Sequence, residues 1–266
     1  MMADESMVRT LAAQVEAIWP QEKLLLARYG LSGACRVLDV GCGTGEFSAR
    51  IARLQPQAAV SGVDVVESSL ELARSRYQDV AQRLTFKHGD AFHLAFADST
   101  FDLVACRHVT QALPDVDKML AELLRVTRAG GWLHVLSEDY AMLHMMSGPL
   151  DPDVFWREGP INYTAKTGTD ARIGRKTWSI LKRLGLQELR VDYVIVDTLR
   201  VPRRVFADII TAWRDGYADA LGQHSTLKPA SMREHFDQII TSILNPEEYA
   251  VWFVPIVSGR TPLTKS

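Results

Sequence analysis

A glycine-rich turn at residues 37–47, which read VLDVGCGTGEF, is the stretch best suited to chemistry. A short apolar run leads into three alternate glycines, Gly41, Gly43 and Gly45, and apolar residues at helical spacing follow them. Glycine lets the backbone turn sharply and lets a ligand come close, because it has no Cβ. In an open α/β sheet, a turn of this kind after the first strand lies where ligands bind. The stretch therefore predicts a small-molecule site between a strand and a helix.

The spacing of the glycines narrows the class of ligand. A dinucleotide-binding turn has the pattern G-x-G-x-x-G/A, whereas this turn reads G-x-G-x-G with Glu46 in the sixth position. A carboxylate suits the positive end of a helix dipole but would repel a pyrophosphate there. No Gly-Lys-Ser/Thr follows, which excludes a P-loop. The turn favours a ligand without phosphate groups, and Asp39 at the end of the preceding strand favours one that carries a cation.

Other polar residues follow the later apolar runs. Asp64, Asp90, the neighbours Arg107 and His108, and residues 138–140 (EDY) each stand where a predicted strand ends. The carboxyl ends of parallel strands meet at one edge of a sheet, where the ligand crevice of such folds lies. We therefore expect these side chains to surround the same crevice as the glycine turn.

In this order and spacing, the landmarks over about residues 33–200 resemble the class I S-adenosylmethionine-dependent methyltransferases of the small-molecule type. The matching segments are residues 37–47, 62–65 (GVDV), 88–91 (HGDA), 101–109 (FDLVACRHV) and 128–133 (RAGGWL). The resemblance implies that Asp64 binds the ribose hydroxyls, that Asp90 binds the adenine amino group, and that the backbone near Arg107 holds the methionine end.

The same resemblance implies S-adenosyl-L-methionine as cofactor and S-adenosyl-L-homocysteine as product. The cofactor-binding residues that it implies are Asp39, Gly41, Cys42, Gly43, Gly45, Asp64, Val65, Gly89, Asp90, Ala91, Arg107 and His108.

Methyl transfer needs a general base only if the acceptor carries a proton at pH 7, as a hydroxyl does. The candidates beside the methyl end are His108 after the fourth strand and Glu138 and Asp139 after the fifth. Two alternatives stay open, since His108 could bond to backbone and Glu138 could cap a loop. No metal site is expected, because no Asp-Asn or paired Asp follows the relevant strands.

The elements that must position these residues alternate between short apolar runs and amphipathic stretches. The runs predict strands near residues 35–40, 59–64, 84–88, 101–106, 132–137, 188–196 and 249–257. One helix is predicted to end at the glycines 130–131. Together with the resemblance, this predicts a three-layer α-β-α Rossmann-like fold. Its seven-stranded sheet is mostly parallel with an antiparallel last strand, and a helical lid is inserted.

The domain prediction places an N-terminal helical arm at residues 1–32 and the cofactor-binding methyltransferase domain at 33–198 and 246–266. Substrate-lid insertions are predicted at 140–170, read as an irregular loop, and at 199–245, read as helical. The loop holds methionines and aromatic residues that would make an apolar pocket, among them Trp156 and Tyr163. The resemblance implies that the arm closes over the cofactor, so Trp19 and Gln21 are expected to contact it.

Composition sets further limits. The 266 residues carry 30 Lys+Arg and 32 Asp+Glu, a net charge of −2, which gives no electrostatic footprint for nucleic acid or membrane. The three cysteines form no CxxC pair, and no apolar run reaches the roughly 20 residues that span a bilayer. The expectations are a cytoplasmic monomer or homodimer with a small-molecule acceptor and with neither nucleic acid nor membrane as partner.

The implied function is transfer of a methyl group to an O, N or C nucleophile of a small molecule, such as an aromatic or natural-product acceptor. Residues 107–110 (RHVT) lack the Asn/Asp-Pro-Pro-aromatic tetrapeptide expected of a DNA amino-methyltransferase. Two alternatives remain at this point: a non-catalytic S-adenosylmethionine-binding or scaffold protein of the same fold, and a methyltransferase that acts on protein.

Overall fold

The computed structural model describes residues 5–145 and 148–263. Its helices are α1 Glu5–Ala27, α2 Glu46–Leu54, α3 Glu67–Arg76, α4 Val116–Val126, α5 Pro152–Trp156, α6 Asn162–Thr167, α7 Gly174–Arg183, α8 Arg203–His224 and α9 Pro229–Leu244. Its strands are β1 Arg36–Val40, β2 Ala59–Asp64, β3 Leu84–His88, β4 Phe101–Arg107, β5 Thr127–Leu136, β6 Leu143–Met145, β7 Gln187–Asp197 and β8 Ala250–Arg260.

One mixed sheet organises these elements. Its order is β3-β2-β1-β4-β5-β8, and β7 pairs with the other edge of β8. The first five strands run parallel to one another, whereas β8 runs antiparallel to both β5 and β7. This confirms the predicted mostly parallel sheet with an antiparallel last strand. The short β6, which also pairs with β8, is an additional strand.

The strands were predictable because both faces of the sheet are covered. In β1, Val37 packs with Ile51 of α2 on one face, while Leu38 packs with Leu120 of α4 and Ile180 on the other. Alternate residues of a strand point to opposite faces, so a strand buried on both faces is apolar at nearly every position. The strand order reverses between β1 and β4, and this switch point is where open α/β sheets form their crevice.

The inserted helices α8 and α9 complete a third hydrophobic cluster against β7 and β8. Phe206 and Ile210 of α8 and Phe236 of α9 pack there with Trp252 of β8. Ile18 of α1 joins the same cluster. The helix pair is therefore packed firmly onto the sheet and onto the N-terminal helix.

Three sequence-based expectations are wrong in detail. The stretch 140–170 is largely ordered secondary structure, with β6, α5, a π-helical turn at Arg157–Ile161 and α6, although Met146 lies outside the described residues. Helix α4 ends at Val126, not at residues 130–131, because β5 begins at once with Thr127. The strands predicted near 188–196 and 249–257 were also expected to be two edge strands, but β8 lies between β5 and β7.

Within the described ranges, no helix is both long and apolar enough to cross a membrane.

Candidate active site

A cleft of about 670 Å³ opens at the carboxyl ends of β1 to β4. It brings together nine of the twelve residues predicted to bind the cofactor. These are Gly41, Gly43, Asp64, Val65, Gly89, Asp90, Ala91, Arg107 and His108. Asp39, Cys42 and Gly45 do not line it. Leu11 of α1, Tyr163 of α6 and Tyr217 of α8 also line the cleft.

Gly41 and Gly45 of the turn each have a left-handed backbone and lack room for a Cβ, but the neighbour that a Cβ would meet differs. Gly41 has φ +72°, and a Cβ there would lie 2.3 Å from Val109 Cγ2, in the turn that follows β4. Gly45 has φ +83° at the start of α2, and a Cβ there would lie 2.6 Å from the Phe86 ring. Gly41 therefore permits two loops of the cleft to touch, whereas Gly45 permits the packing behind it.

Asp39 and Cys42 lie behind the surface of the cleft. The buried Asp39 carboxylate accepts a hydrogen bond from Ser48 Oγ at 2.5 Å. Burial raises the pKa of Asp39 to about 6, with the Ser48 hydrogen bond and the charge of Arg107 opposing the rise. Cys42 is also buried, and burial raises the pKa of its thiol. In this conformation both residues support the turn from within, and their contact with a cofactor stays a prediction.

Two carboxylates mark the half of the cleft near β2 and β3. Asp64 Oδ2 accepts the Gly43 N–H at 2.8 Å and its Oδ1 accepts the Val66 N–H at 2.9 Å, which ties the glycine turn to the end of β2. Asp90 Oδ1 accepts the Phe92 N–H at 2.9 Å. Each carboxylate oxygen has a second lone pair, so both residues retain capacity for a ligand.

The other half of the cleft contains a buried ionic network. Arg107 Nε donates to Glu22 Oε1 at 2.8 Å, and His134 Nε2 lies 2.9 Å from the same oxygen. The Arg107 guanidinium also lies over the Phe47 ring, 4.5 Å from its centroid. Burial would raise the pKa of Glu22, but Arg107 and His134 outweigh it and lower that pKa to about 2. Arg107 Nη2 is buried and has no hydrogen-bond partner in the described part of the chain.

His108 and Glu138 form the closest polar contact at the cleft. His108 Nδ1 lies 2.5 Å from Glu138 Oε1, and their side chains are 7% and 1% exposed. Gln14 Nε2 of α1 donates to the same oxygen at 3.4 Å. His108 has φ +58°, a left-handed backbone that is uncommon for residues other than glycine and is found at functional sites. His108 Nε2 and Glu138 Oε2 are buried and lack partners among residues 5–145 and 148–263.

Asp139 has a different environment from its neighbour. Its carboxylate accepts two hydrogen bonds from Arg175, at 2.6 and 2.9 Å, and another from the Ala141 N–H at 3.1 Å. It lines neither the cleft nor the cavity beside it. These bonds fit a structural role that anchors the end of β5 to α7. Nothing in this arrangement supports a catalytic role for Asp139.

The arm contributes residues other than those expected. Trp19 packs edge-on against Phe47 and lies beneath Arg50, while Gln21 bonds to both backbone groups of Ile195 in β7. Trp19 and Gln21 therefore dock α1 onto the domain and do not line the cleft.

The residues of the arm that do lie at the site were not predicted from the sequence: Leu11, Gln14 and Glu22. They occupy one helix face with the buried Ile18. A glutamine and a glutamate on an otherwise apolar face were the signal that could have identified them.

Comparison with known proteins adds independent information. Residues 31–151 match the family model Methyltransf_31, described as a methyltransferase domain. Methyltransferase GfsG of Streptomyces halstedii is 37% identical over 134 residues, which cover 50% of this chain and 47% of that protein. A demethylmenaquinone methyltransferase of Lactiplantibacillus plantarum is 38% identical over 114 residues, covering 42% of this chain and 48% of that protein. The chain thus spans about half the length of these curated relatives.

Among solved structures, the [4+2]-cyclase SpnF is similar with a TM-score of 0.59 and 22% identity, over 91% of this chain and 80% of that one. At this identity the likeness concerns the fold alone. The matched segment 31–151 contains the glycine turn, Asp64, Asp90 and the His108–Glu138 pair. Residues 31–151 thus match a methyltransferase-domain family, which confirms the resemblance of the sequence to the class I S-adenosylmethionine-dependent methyltransferases.

Proposed function

We propose that this chain is an S-adenosylmethionine-dependent methyltransferase for a small-molecule acceptor, and that His108 and Glu138 together remove the acceptor's proton. The observation that carries the proposal is the buried contact of 2.5 Å between His108 Nδ1 and Glu138 Oε1 beside a cleft of about 670 Å³.

The polar groups of the cleft fit S-adenosylmethionine. Asp64 and Asp90 would accept hydrogen bonds from hydroxyl and amino groups at one end. At the other end, Arg107 has a buried N–H group without a partner in the described structure, and a ligand carboxylate would satisfy it. The bound cofactor supplies an electrophilic methyl group.

His108 has the arrangement of a general base oriented by a carboxylate. Because Glu138 can only accept when ionised, its contact with Nδ1 leaves Nε2 as the nitrogen that can take a proton. Nε2 is buried and unpaired in the part of the chain described, so a hydrogen bond from an acceptor hydroxyl would relieve an uncompensated polar atom. Catalytic hydrogen bonds often tighten only when substrate binds. General-base catalysis of this kind contributes about 10²- to 10⁴-fold in rate.

The elements above the cleft would exclude water from the transfer. Leu11, Tyr163 and Tyr217 come from three different helices and line the same cleft. A site without bulk water holds the reactants in place and restricts the proton transfer to the acceptor and His108. α1 therefore acts both as cover, through Leu11, and as a support for Glu138, through Gln14.

The names of the relatives support a small-molecule acceptor. GfsG is named a methyltransferase, and the name of the demethylmenaquinone methyltransferase states a small-molecule substrate. The similar fold of a [4+2]-cyclase means that fold alone does not decide the reaction, so the proposal depends on the His108–Glu138 pair.

The test is turnover by the full chain with methyl-labelled S-adenosylmethionine and a panel of phenols, enols and amines, followed by mass spectrometry. We expect S-adenosylhomocysteine and a labelled acceptor in equal amounts. Tight S-adenosylhomocysteine binding with no turnover on the panel would favour the non-catalytic alternative. Absence of both binding and turnover would overturn the proposal, and transfer unchanged in His108→Gln would overturn the assignment of the base.

A further inference from the structure

A second cavity of about 390 Å³ adjoins the cofactor cleft. We call it the aromatic chamber, after the six rings in its wall: Tyr140, Trp156, Tyr163, Trp213, Tyr217 and Phe236. Ala112, Tyr163 and Tyr217 line both the chamber and the cleft, so the two spaces meet at a shared boundary. Its volume lies within the range of about 300–1,000 Å³ typical of small-molecule pockets.

Three of the six rings, Tyr140, Trp156 and Trp213, contact one another. Tyr140 stacks on Trp156 with an interplanar angle of 9° and centroids 5.9 Å apart. Trp213 meets Tyr140 edge-on at 5.3 Å and meets Trp252 of β8 in the same way. Edge-on and offset arrangements are the favourable ones for aromatic pairs. The wall is therefore ordered before any ligand arrives, which reduces the entropy cost of binding.

The lining of the chamber is uncharged. None of its described residues is Asp, Glu, Lys, Arg or His. Two of its residues have a buried polar atom with no partner in the described structure: the donor Trp156 Nε1 and the acceptor Gln111 Oε1. A buried charge without a counter-charge is costly, whereas a neutral molecule with a hydroxyl or carbonyl group could satisfy such atoms.

The chamber is also coupled to the His108–Glu138 pair. Gln111 Nε2 donates to the His108 backbone carbonyl at 2.8 Å, which joins the chamber wall to the turn that carries the base. Burial, strengthened by the negative charge of Glu138, raises the pKa of Tyr140 well above 10 and that of Tyr217 to about 12. Both phenols therefore stay protonated and uncharged at neutral pH. A ligand in the chamber would lie against these rings and next to the cleft that His108 lines.

We propose that the aromatic chamber is the acceptor site, and that it takes an uncharged, planar, mostly apolar molecule whose reacting group is a hydroxyl or an enolisable carbon. This inference rests on the proposed function and gives it a substrate class. A flat ring system suits the stacked aromatic wall, and an acceptor that must lose a proton suits a chamber that adjoins the cleft lined by His108. Aromatic walls can also bind a quaternary ammonium group through cation–π contacts, so the test includes that class.

The experiment measures binding and not turnover. The full chain, saturated with S-adenosylhomocysteine, is titrated in a calorimeter with three probes that share one ring system: 2-naphthol, 2-naphthoate and 2-naphthyltrimethylammonium. We expect 2-naphthol to bind at least about tenfold more tightly than either charged probe. Tighter binding of the ammonium or of the carboxylate would overturn the proposed class.

Two variants locate the binding. Trp156→Phe keeps a ring but removes the unpaired N–H, and we expect it to weaken 2-naphthol binding about tenfold. Trp178→Phe is the matched control, because Trp178 is 41% exposed on α7 and lies outside the chamber, and it should leave binding unchanged.

Thr167→Trp, an exposed position at the chamber, should block 2-naphthol without disturbing the core. Unchanged binding in Thr167→Trp would place the probe elsewhere and overturn the assignment. Failure of 2-naphthol to bind, while S-adenosylhomocysteine binds and other acceptors are methylated, would refute only the assignment of the aromatic chamber as the acceptor site. Binding of 2-naphthol by a protein that methylates nothing would refute the proposed function alone.

Discussion

Glu22 and Arg107 form an ion pair that is sealed from solvent. Glu22 Oε1 and Arg107 Nε are 2.8 Å apart, and the two side chains are 0% and 5% exposed. The pair joins the C-terminal part of the N-terminal helix to the end of β4, where the cleft begins. Because His134 of β5 contacts the same carboxylate, one acidic residue of the arm fixes two neighbouring strands. The arm is therefore part of the site and not an appendage to it.

Replacing Glu22 by glutamine should destabilise the protein strongly. The variant keeps the shape of the side chain but leaves the buried Arg107 charge without a counter-charge. Breaking a buried pair in this way typically costs about 3–5 kcal/mol. The free energy of unfolding from chemical denaturation measures the loss. Asp79→Asn is the control, because Asp79 and Arg53 are 55% and 48% exposed and such pairs contribute about 0–1 kcal/mol. Equal small losses in both variants would show that the Glu22 carboxylate is dispensable.

The raised pKa of Asp39 predicts a pH dependence of stability. Its folded pKa of about 6 exceeds the ordinary 3.8, so the fold favours the protonated form. The stabilisation is fully present below pH 3.8 and is lost as the pH rises through about 6. The difference between the two pKa values corresponds to about 3 kcal/mol. Relative to Asp39→Asn, the wild-type free energy of unfolding should fall between pH 4 and pH 6 and then level off. A constant difference across this range would contradict the assignment.

Two costs of replacing Gly41, the steric clash with Val109 and the left-handed backbone conformation, can be measured separately. Gly41 and Gly168 have nearly the same φ, +72° and +74°, but a Cβ at Gly168 would meet nothing within 4 Å. Gly168→Ala should therefore cost only the left-handed strain, about 1–2 kcal/mol. Gly41→Ala adds the clash with Val109, so it should cost more and should also weaken S-adenosylhomocysteine binding. Similar losses of stability with unchanged binding would mean that Val109 can move away freely.

Several features of the fold were visible in the sequence for a physical reason. Val37, Leu38 and Val40 are all buried, because helices cover both faces of the parallel strands. The same topology brings Asp64 and Asp90 to one edge, although each lies on a different strand. The local sequence pattern was therefore enough to predict the position of a residue wherever one strand and the turn after it determine that position.

Contacts between distant segments were not visible. Gln14 meets Glu138 across 124 positions, and Glu22 meets Arg107 across 85, and no local pattern encodes either partner. Helices α5 and α6 have only five and six residues, too short for periodicity to identify, and they depend on packing for stability. Strand β6 has three residues and is paired only with β8 in the structure described. Trp156 of α5 and Tyr163 of α6 line the aromatic chamber, so the elements that form the proposed acceptor site were the least predictable part of the structure.

Asp64→Ala should weaken cofactor binding while the fold persists. Asp64 is half-buried at the end of β2, and its carboxylate holds the Gly43 N–H that shapes the turn. Hydrogen bonds to a charged group contribute about 1.5–3 kcal/mol each. Loss of the two predicted hydrogen bonds from the ribose hydroxyls to Asp64 should therefore raise the dissociation constant at least about a hundredfold. Calorimetric titration with S-adenosylhomocysteine measures this dissociation constant. Asp64→Asn should fall between the wild type and Asp64→Ala, and the surface variant Asp79→Ala should bind normally. Unchanged affinity in Asp64→Ala would refute the ribose assignment.

Glu138→Gln should slow methyl transfer without weakening the cofactor. The amide keeps an oxygen near His108 Nδ1 but loses the negative charge that stabilises a protonated imidazole. We expect kcat to fall about 10²- to 10³-fold, within the range for general-base catalysis, while S-adenosylhomocysteine affinity stays near the wild-type value.

Because His108 and Glu138 act as a unit, the double variant His108→Gln with Glu138→Gln should be no slower than His108→Gln alone. Asp139→Asn serves as the contrast, since its partner is Arg175 and not the base. That variant should lower the free energy of unfolding and leave kcat nearly unchanged. Multiplicative losses in the double variant would show that His108 and Glu138 act independently, and a slow Asp139→Asn enzyme of full stability would return Asp139 to the catalytic set.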